Sequence, residues 1–359
     1  MPPHRSPRLL AALMLSVIPA GLTAQAANPD APKPKRDSTA SRPGRLFRST
    51  EPVVMWLEGD FKTIFKDRDS MSTKRYPATL RWLGDKGDTL TTPVQLATRG
   101  HYRLRTCSVP PLKVFFDREK TRGTLFGGEA SFKLTPHCHK DERYTQNLLV
   151  EYATYGMYNE LTPVSLRARL ATITWIDPKD PKFTVTRPGF WTEDEEEMAK
   201  RNYGKVLMQM GGNAAEMDPT QMALTDVFQY MIANTDYSLS YLHNYRIIQT
   251  DTSMAYYPMA YDFDWSGLVN APYARPDYRL PIKRVTDRLY RGGCHSLEQL
   301  KETMALFHAK KDAMHGHLSG LKDLTPERLK EATEFLEDFW KMSKDDRAVN
   351  RELRRVCDR

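Results

Sequence analysis

The order of local patterns along the chain is the feature that most constrains its fold. Several segments of the first half alternate apolar and polar residues or are rich in β-branched and aromatic residues, as strands require. They are residues 53–57, 78–83, 94–98, 112–116 and 131–135. A helical pattern follows at 141–160, and another alternating segment at 165–175. We therefore expect a first half that is rich in strands.

The second half carries the start signals of helices. Three N-cap residues precede apolar segments with helical spacing, and two of them are followed by a proline that suits the first helical turn. They are Asp218, Ser296 and Thr325. A β-rich part followed by a mainly helical part predicts an α+β protein with two lobes. We place the lobes at about 47–176 and 177–359, within a single domain.

The N-terminus has the three parts of an export signal. Arg5 and Arg8 precede an apolar run at 9–18, and the small-residue site Ala24-Gln25-Ala26 follows. The run is too short to span a bilayer comfortably. We therefore expect a signal peptide at 1–26 and a periplasmic or extracellular protein with no membrane span after cleavage.

Charge and hydropathy exclude two further classes of protein. The mean hydropathy of −0.60 excludes a polytopic membrane protein. The net charge is +8, but +2 belongs to the signal peptide and +3 to a proline-rich, basic linker at 27–46, which leaves the body close to balance. We therefore expect no binding to nucleic acid, and we expect a monomer. The acidic run at 193–197 is expected to form a solvated surface loop.

Four cysteines fit an oxidising compartment. We expect disulfides between Cys107 and Cys138 and between Cys294 and Cys357, because each pair closes a loop within one region of the chain. Histidines flank Cys138, but a zinc site would need more ligands at short spacing than the sequence offers.

Two carboxylates end a strand pattern in the second half. Asp262 and Asp264 are two residues apart, so that in an extended chain they point the same way. With a neutral oxygen from Asn244 they would suit Mg²⁺ or Mn²⁺. Turn capping and ion pairing remain the alternative role for both aspartates.

Four short segments occur in the order that is typical of a known family. They are Thr98-Arg99-Gly100-His101-Tyr102-Arg103, Pro110-Pro111-Leu112-Lys113-Val114-Phe115-Phe116, the segment 234–244, and Tyr261-Asp262-Phe263-Asp264. Together they cover about residues 94–268. In this order the chain resembles the spore-coat CotH-type kinases, which are atypical relatives of protein kinases. His101 stands where the family has asparagine.

The resemblance implies a fold, a set of cofactors and a class of partner. The fold would be a two-lobed protein-kinase-like fold, with a β-rich N-terminal lobe and a mainly helical C-terminal lobe. The cofactors would be ATP and Mg²⁺ or Mn²⁺. The partners would be the nucleotide and an unknown protein or small molecule that accepts the phosphate.

The resemblance also implies roles for the basic residues of the first half. Lys133 would pair with Glu151 and contact the phosphates, and Lys113 is the rival for that role. Arg99 would meet the phosphates or tie the lobes together.

The same comparison assigns acidic residues to the second half. Asp236 would orient the attacking hydroxyl or accept its proton. Asn244 and Asp262 would hold the metal ion, assisted by Asp264.

Three other functions fit the same residues. One is a secreted pseudokinase or binding scaffold without turnover. Another is a metal-dependent hydrolase that uses Asp236, Asp262 and Asp264, with His243 as the base. The third is an envelope-binding module whose tyrosines contact glycans or peptide.

Overall fold

The strands of the first half close into a barrel in the computed structural model of the protein. It describes residues 42–84, 86–180, 182–250 and 256–358, so that the expected signal peptide and the linker up to residue 41 lie outside the described residues. The barrel strands are β1 (Val53–Gly59), β2 (Tyr76–Leu83), β3 (Thr89–Thr98), β4 (Leu112–Phe116), β5 (Ser131–Pro136), β6 (Ala168–Ile176) and β7 (Thr184–Thr192).

The barrel has the strand order β1-β2-β3-β4-β5-β7-β6 and closes between β6 and β1. The closing pair is parallel, and the other neighbours run antiparallel. Several strands have alternately buried residues, as in β6, where every second residue is buried. The interior is filled with aromatic and branched side chains, among them Trp175, Trp191, Phe126 and Phe132.

Three helices accompany the barrel strands in the sequence. They are α1 (Phe61–Ile64), α2 (Tyr102–Thr106) and α3 (Glu142–Leu161). Asp141 caps α3 by accepting the backbone N–H of Arg143. Helix α3 is buried over most of its circumference, so its sequence lacks a clear polar face.

The remaining α-helices and strands follow the barrel strands in the sequence. The helices are α4 (Glu195–Arg201), α5 (Pro219–Met231), α6 (Leu297–Ser319), α7 (Pro326–Met342) and α8 (Asp346–Leu353). The strands are β8 (Gly204–Leu207), β9 (Tyr245–Thr250) and β10 (Tyr256–Ala260), which form an antiparallel sheet in the order β10-β9-β8. A second apolar core joins α3, α5, α6 and α7 through side chains such as Val227, Phe228, Phe307 and Phe339.

The prediction of a two-lobed kinase-like fold with a mainly helical C-terminal lobe was wrong. Strand β7 lies beyond residue 176, where we placed the lobe boundary, and it pairs with both β5 and β6. A β-rich lobe that ended at residue 176 would leave the sheet open. With β7 in place the barrel is closed.

Both predicted disulfides are confirmed. Cys107, which ends α2, is bonded to Cys138, which follows β5. Cys294 is bonded to Cys357 near the C-terminus. The two disulfides fit a secreted protein in an oxidising environment.

No helix within the described residues combines the length and the apolar character needed to cross a bilayer.

Candidate functional site

One open cleft of about 510 Å³ brings together most of the residues that the sequence singled out. Its lining comes from the segment after β3, from β5, α4 and β9, from the loop before β9 and from the segment after β10. The predicted site residues in its lining are Arg99, Lys133, Asp236, Asn244, Asp262 and Asp264. Two others, Lys113 and Glu151, are not part of the lining.

Arg103, in the cleft lining, is the centre of a cluster of charged side chains. Its guanidinium donates from both terminal nitrogens to the carboxylate of Glu151, at 2.8 and 3.0 Å. One of these nitrogens also donates to Asp262 Oδ1 at 2.8 Å, and Nε lies 3.3 Å from Asp264 Oδ2. A single arginine therefore contacts three carboxylates.

The three carboxylates shift the ionisation of the cluster. Burial alone would lower the pKa of Arg103, but the charges of Asp264, Glu151 and Asp262 outweigh it and raise that pKa well above its usual value. Burial raises the pKa of Asp264 well above normal, and the neighbouring charge of Asp262 adds to that rise. Burial likewise raises the pKa of Glu151. The guanidinium therefore remains charged and is the cation that these acids share.

Asp262 is the most exposed carboxylate of this cluster in the cleft lining. Its backbone has a φ of +60°, and its N–H donates to the hydroxyl of Tyr155 at 3.0 Å. Its side chain is 39% exposed, whereas that of Asp264 is buried and accepts a hydrogen bond from Tyr273 at 2.8 Å. Asp262 therefore has one oxygen on Arg103 and one available to a ligand.

A second acidic group lies on the loop before β9. Asp236 Oδ1 lies 3.0 Å from Nε2 of His243. The amide of Asn244 donates to the backbone oxygen of Asp236 at 2.7 Å and to Oδ2 at 3.0 Å. The hydrogen bond to Asp236 raises the pKa of His243. The Asp236 carboxylate is thus held from two sides.

Basic residues form another part of the cleft lining. Lys133 is paired with Glu195 of α4, and Arg246 lies 3.6 Å from the same carboxylate. Arg99 also lines the cleft, and no carboxylate of the described residues lies within ion-pair distance of its guanidinium. A narrow niche of about 20 Å³, lined by Arg99, Lys133, Arg103 and Asp262 among others, has room for about one water-sized group.

The predicted ion pair between Lys133 and Glu151 is absent, because each residue has another partner. Glu151 is buried against Arg103, and Lys133 pairs with Glu195. Burial alone would raise the pKa of Glu195, but the ammonium of Lys133 outweighs it and lowers that pKa.

The acidic run at 193–197 is not the solvated loop that we expected. Glu193 is buried and accepts two hydrogen bonds from Arg201, and Glu195 lies in the first turn of α4. Asp194 caps that helix by accepting the N–H of Glu196. An N-cap residue before three glutamates, with Arg201 at the far end, is the signal that could have revealed the helix.

Sequence reasoning did not assign a role to several residues of this site. They are Arg103, Glu195, Arg246 and the aromatic pair Tyr102 and Trp265, whose ring centroids are 5.0 Å apart. Arg103 and Tyr102 lie in the motif that follows β3, but their partners are remote in the sequence. The contact between Arg103 and Asp262 spans 159 residues.

The cleft residues that could offer an oxygen to a hard divalent cation are Asp262 and Asn244. The ligating oxygens of Glu151, Asp262 and Asp264 lie within 4.8 Å of one another, but the Arg103 guanidinium is bound to all three. Asp264 is further engaged by Tyr273. The amide oxygen of Asn244 and the second carboxylate oxygen of Asp262 have no hydrogen bond to a described residue, and both residues line the cleft.

Comparisons with known proteins found no matching family model and no matching curated protein. The case for a function therefore depends on the geometry of the cleft.

Proposed function

We propose that the protein binds a nucleotide with Mg²⁺ or Mn²⁺ in the cleft and transfers a phosphoryl group to a hydroxyl of an unknown acceptor. The observation that carries this proposal is the composition of one cleft lining. Arg99, Lys133 and Arg246 supply positive charge, while Asp236 and Asp262 supply carboxylates. Phosphoryl transfer needs cations around the phosphates and a group that positions the acceptor hydroxyl. The basic residues would meet the first need, and a carboxylate would meet the second.

The phosphates would lie against the basic residues. Arg99 is free of carboxylate partners among the described residues, so its guanidinium can take two phosphate oxygens in a fork. Lys133 is held in place by Glu195 and adds a second cation. The narrow niche between these residues admits a group of about the size of one oxygen.

The carboxylates would act on the metal ion and on the acceptor. Asp262 and Asn244 are the residues that would hold the ion, which neutralises charge on the phosphates when it is bound. Asp236 is exposed to the cleft and fixed by His243 and Asn244, as a residue that accepts the proton of a hydroxyl should be.

The order of the CotH-like motifs supports the same activity. The segments around Arg99, Asp236 and Asp262 are far apart in the sequence, yet all three contribute to this cleft. The closed barrel differs from the kinase-like fold that the resemblance implied, so only the activity is proposed.

The contact between His243 and Asp236 favours a second candidate, a metal-dependent hydrolase. A histidine held 3.0 Å from a carboxylate can activate a water molecule, and His243 lines the cleft. In that case water would replace the acceptor hydroxyl, the phosphoryl group would be released as inorganic phosphate with the nucleoside diphosphate as leaving group, and His243→Gln would abolish this release.

Binding of ATP and Mn²⁺ is the first test of the proposal. The mature protein is titrated with ATP in the presence of Mn²⁺ in a calorimeter, and its melting temperature is followed with and without the ligands. Because bound ligands stabilise the folded state, wild-type protein should melt at a higher temperature with both present. Asp262→Asn should abolish this shift, and Asp277→Asn, at an exposed ion pair outside the cleft lining, is the control.

Transfer is then followed with γ-labelled ATP. Asp236→Asn should leave binding largely intact and stop the transfer, because its proposed role is toward the hydroxyl. A wild-type protein without any ATP- or Mn²⁺-dependent shift contradicts the proposed function. Binding without transfer to any acceptor or to water indicates the scaffold, and release of free phosphate that depends on His243 indicates the hydrolase.

A further inference from the structure

We infer that Arg103 is a positioning residue that orients the carboxylate of Asp262 toward the cleft, an inference that rests on the proposed function. It is the internal cation of the three-carboxylate cluster. Arg103 also lines the cleft, but each of its three guanidinium nitrogens has a carboxylate partner, so we place its effect on a ligand through Asp262.

The contacts of the guanidinium carry this inference. All three guanidinium nitrogens have a carboxylate partner. Nη1 and Nη2 donate to Glu151, Nη2 also donates to Asp262, and Nε forms an ion pair with Asp264. The side chain is 13% exposed, so little water competes for these bonds. Lysine has one point charge and no planar fork, and it could not reproduce the set of contacts.

These contacts join parts of the fold that are far apart in sequence. Arg103 lies on α2 beside the barrel, Glu151 lies on α3, and Asp262 follows β10. The two hydrogen-bonded pairs are separated by 48 and 159 residues. Arg103 therefore fixes Asp262 relative to the segment that also carries Arg99.

The orientation of Asp262 follows from this arrangement. Its Oδ1 is held by Arg103, which leaves Oδ2 for a ligand in the cleft. Without Arg103, Oδ1 of Asp262 would lose its hydrogen-bond donor beside the carboxyl groups of Glu151 and Asp264, and the side chain would be free to turn away from its present position. Loss of a residue that orients a metal ligand typically lowers metal affinity by about 10- to 100-fold.

Chemical rescue tests the inference. Arg103→Ala removes the guanidinium and leaves space for a guanidinium ion at low millimolar concentration. We expect this variant to lose Mn²⁺·ATP affinity by about 10- to 100-fold and to regain most of it with guanidinium, whereas methylammonium should not restore it. Arg122→Ala removes an exposed contact in which one guanidinium nitrogen binds both carboxylate oxygens of Glu119, and it should change neither the affinity nor the response to guanidinium.

A second readout needs neither nucleotide nor metal. Guanidinium should raise the melting temperature of Arg103→Ala, and the rise should shrink when Asp262→Asn is added. A folded Arg103→Ala protein that does not respond to guanidinium overturns the inference. If Arg103→Ala does not fold, Arg103→Lys is measured in its place. A Mn²⁺·ATP affinity of Arg103→Lys equal to that of the wild type then overturns the inference. Wild-type protein that binds no Mn²⁺·ATP overturns the proposed function, and the melting shift still decides whether Arg103 holds Asp262.

Discussion

Lys113 and Lys133 stand directly opposite each other on β4 and β5, yet only Lys133 lines the cleft. Directly opposite residues of an antiparallel pair share one face of the sheet, so the two side chains start from the same side. The ammonium of Lys113 lies 5.4 Å from the ring centroid of Phe115, whereas that of Lys133 is paired with Glu195. This difference makes Lys133 the better candidate for contact with phosphates.

Methionine variants of the two lysines should therefore differ in nucleotide affinity. Lys133→Met is expected to weaken binding of ATP at fixed Mn²⁺ by about tenfold or more, because a hydrogen bond to a charged group contributes about 1.5–3 kcal/mol. Lys113→Met removes the same charge from the neighbouring strand. Its affinity for ATP should stay within about twofold of the wild-type value, well short of the tenfold change that 1.4 kcal/mol produces. Calorimetric titration measures both.

A third variant separates binding from stability. Loss of Lys133 leaves the largely buried Glu195 with Arg246 as its remaining ion-pair partner among the described residues. Lys133→Met combined with Glu195→Gln removes this buried charge, whose nearer partner is gone, and should recover part of the stability without recovering the affinity. If Lys113→Met instead causes the larger loss of affinity, the phosphate contact belongs to Lys113.

The two disulfides should differ in their effect on the cleft. Cys107 ends the helix that carries Arg103, and Cys138 follows the strand that carries Lys133. Serine substitution of both cysteines should lower the free energy of unfolding by about 2–4 kcal/mol. It should also weaken Mn²⁺·ATP binding, because both cleft segments gain freedom.

The second disulfide is the matched control. The Cys294–Cys357 bond closes a longer loop of 63 residues and ties the C-terminus to the segment before α6. Its serine variant should lose at least as much stability, as measured by denaturant unfolding, with the nucleotide affinity unchanged. Equal losses of affinity in the two double variants would show that general loosening, and not the place of the Cys107–Cys138 bond, weakens the cleft.

Glu129 should make the protein less stable as the pH rises. Burial raises its pKa from 4.5 to about 8, and the carboxylates of Glu197, Glu193 and Asp194 add to the rise. The folded state therefore retains a proton that the unfolded state has lost between about pH 4.5 and pH 8. Stability from this group is fully present below pH 4.5 and is lost as the pH rises through 8, with a total on the order of 3–5 kcal/mol.

The isosteric variant Glu129→Gln isolates this contribution. Between pH 5 and pH 8 the unfolding free energy of the wild type should fall relative to that of Glu129→Gln by a few kcal/mol. Denaturant unfolding with the disulfides intact at pH 5, 6.5 and 8 provides the measurement. Parallel pH profiles of the two proteins contradict the prediction.

Local patterns were sufficient to predict most of the elements but not the closure of the barrel. The alternation in β6 and the cap of α5 are visible within a few residues, and both elements lie where they were expected. Strand β7 was missed because Pro188 and Gly189 interrupt the pattern of a strand. The reason for the glycine is tertiary, since a Cβ at Gly189 would lie only 2.9 Å from the backbone oxygen of Thr135 on β5.

The candidate site was predictable where its residues lie close together in the sequence. Asp236 and Asn244 flank one loop, and the structure joins them by two hydrogen bonds. The partners of Lys133 and Glu151 were not predictable, because each contact depends on how distant segments meet. Lys133 binds a glutamate 62 residues away, and Glu151 binds an arginine that precedes it by 48.

Variants of Asn244 separate the effect of its backbone conformation on stability from the effect of its side chain on metal binding. Its φ of +53° disfavours residues other than glycine and asparagine, and its amide binds Asp236. Asn244→Ala should lower stability by about 1–2 kcal/mol, and Asn244→Gly by less, while both lose the Mn²⁺-dependent melting shift, which needs the side-chain oxygen. Asn270 has a similar φ of +50° outside the cleft lining, so Asn270→Ala should show the stability loss and keep the shift. A full shift in Asn244→Gly would remove this residue from the metal site.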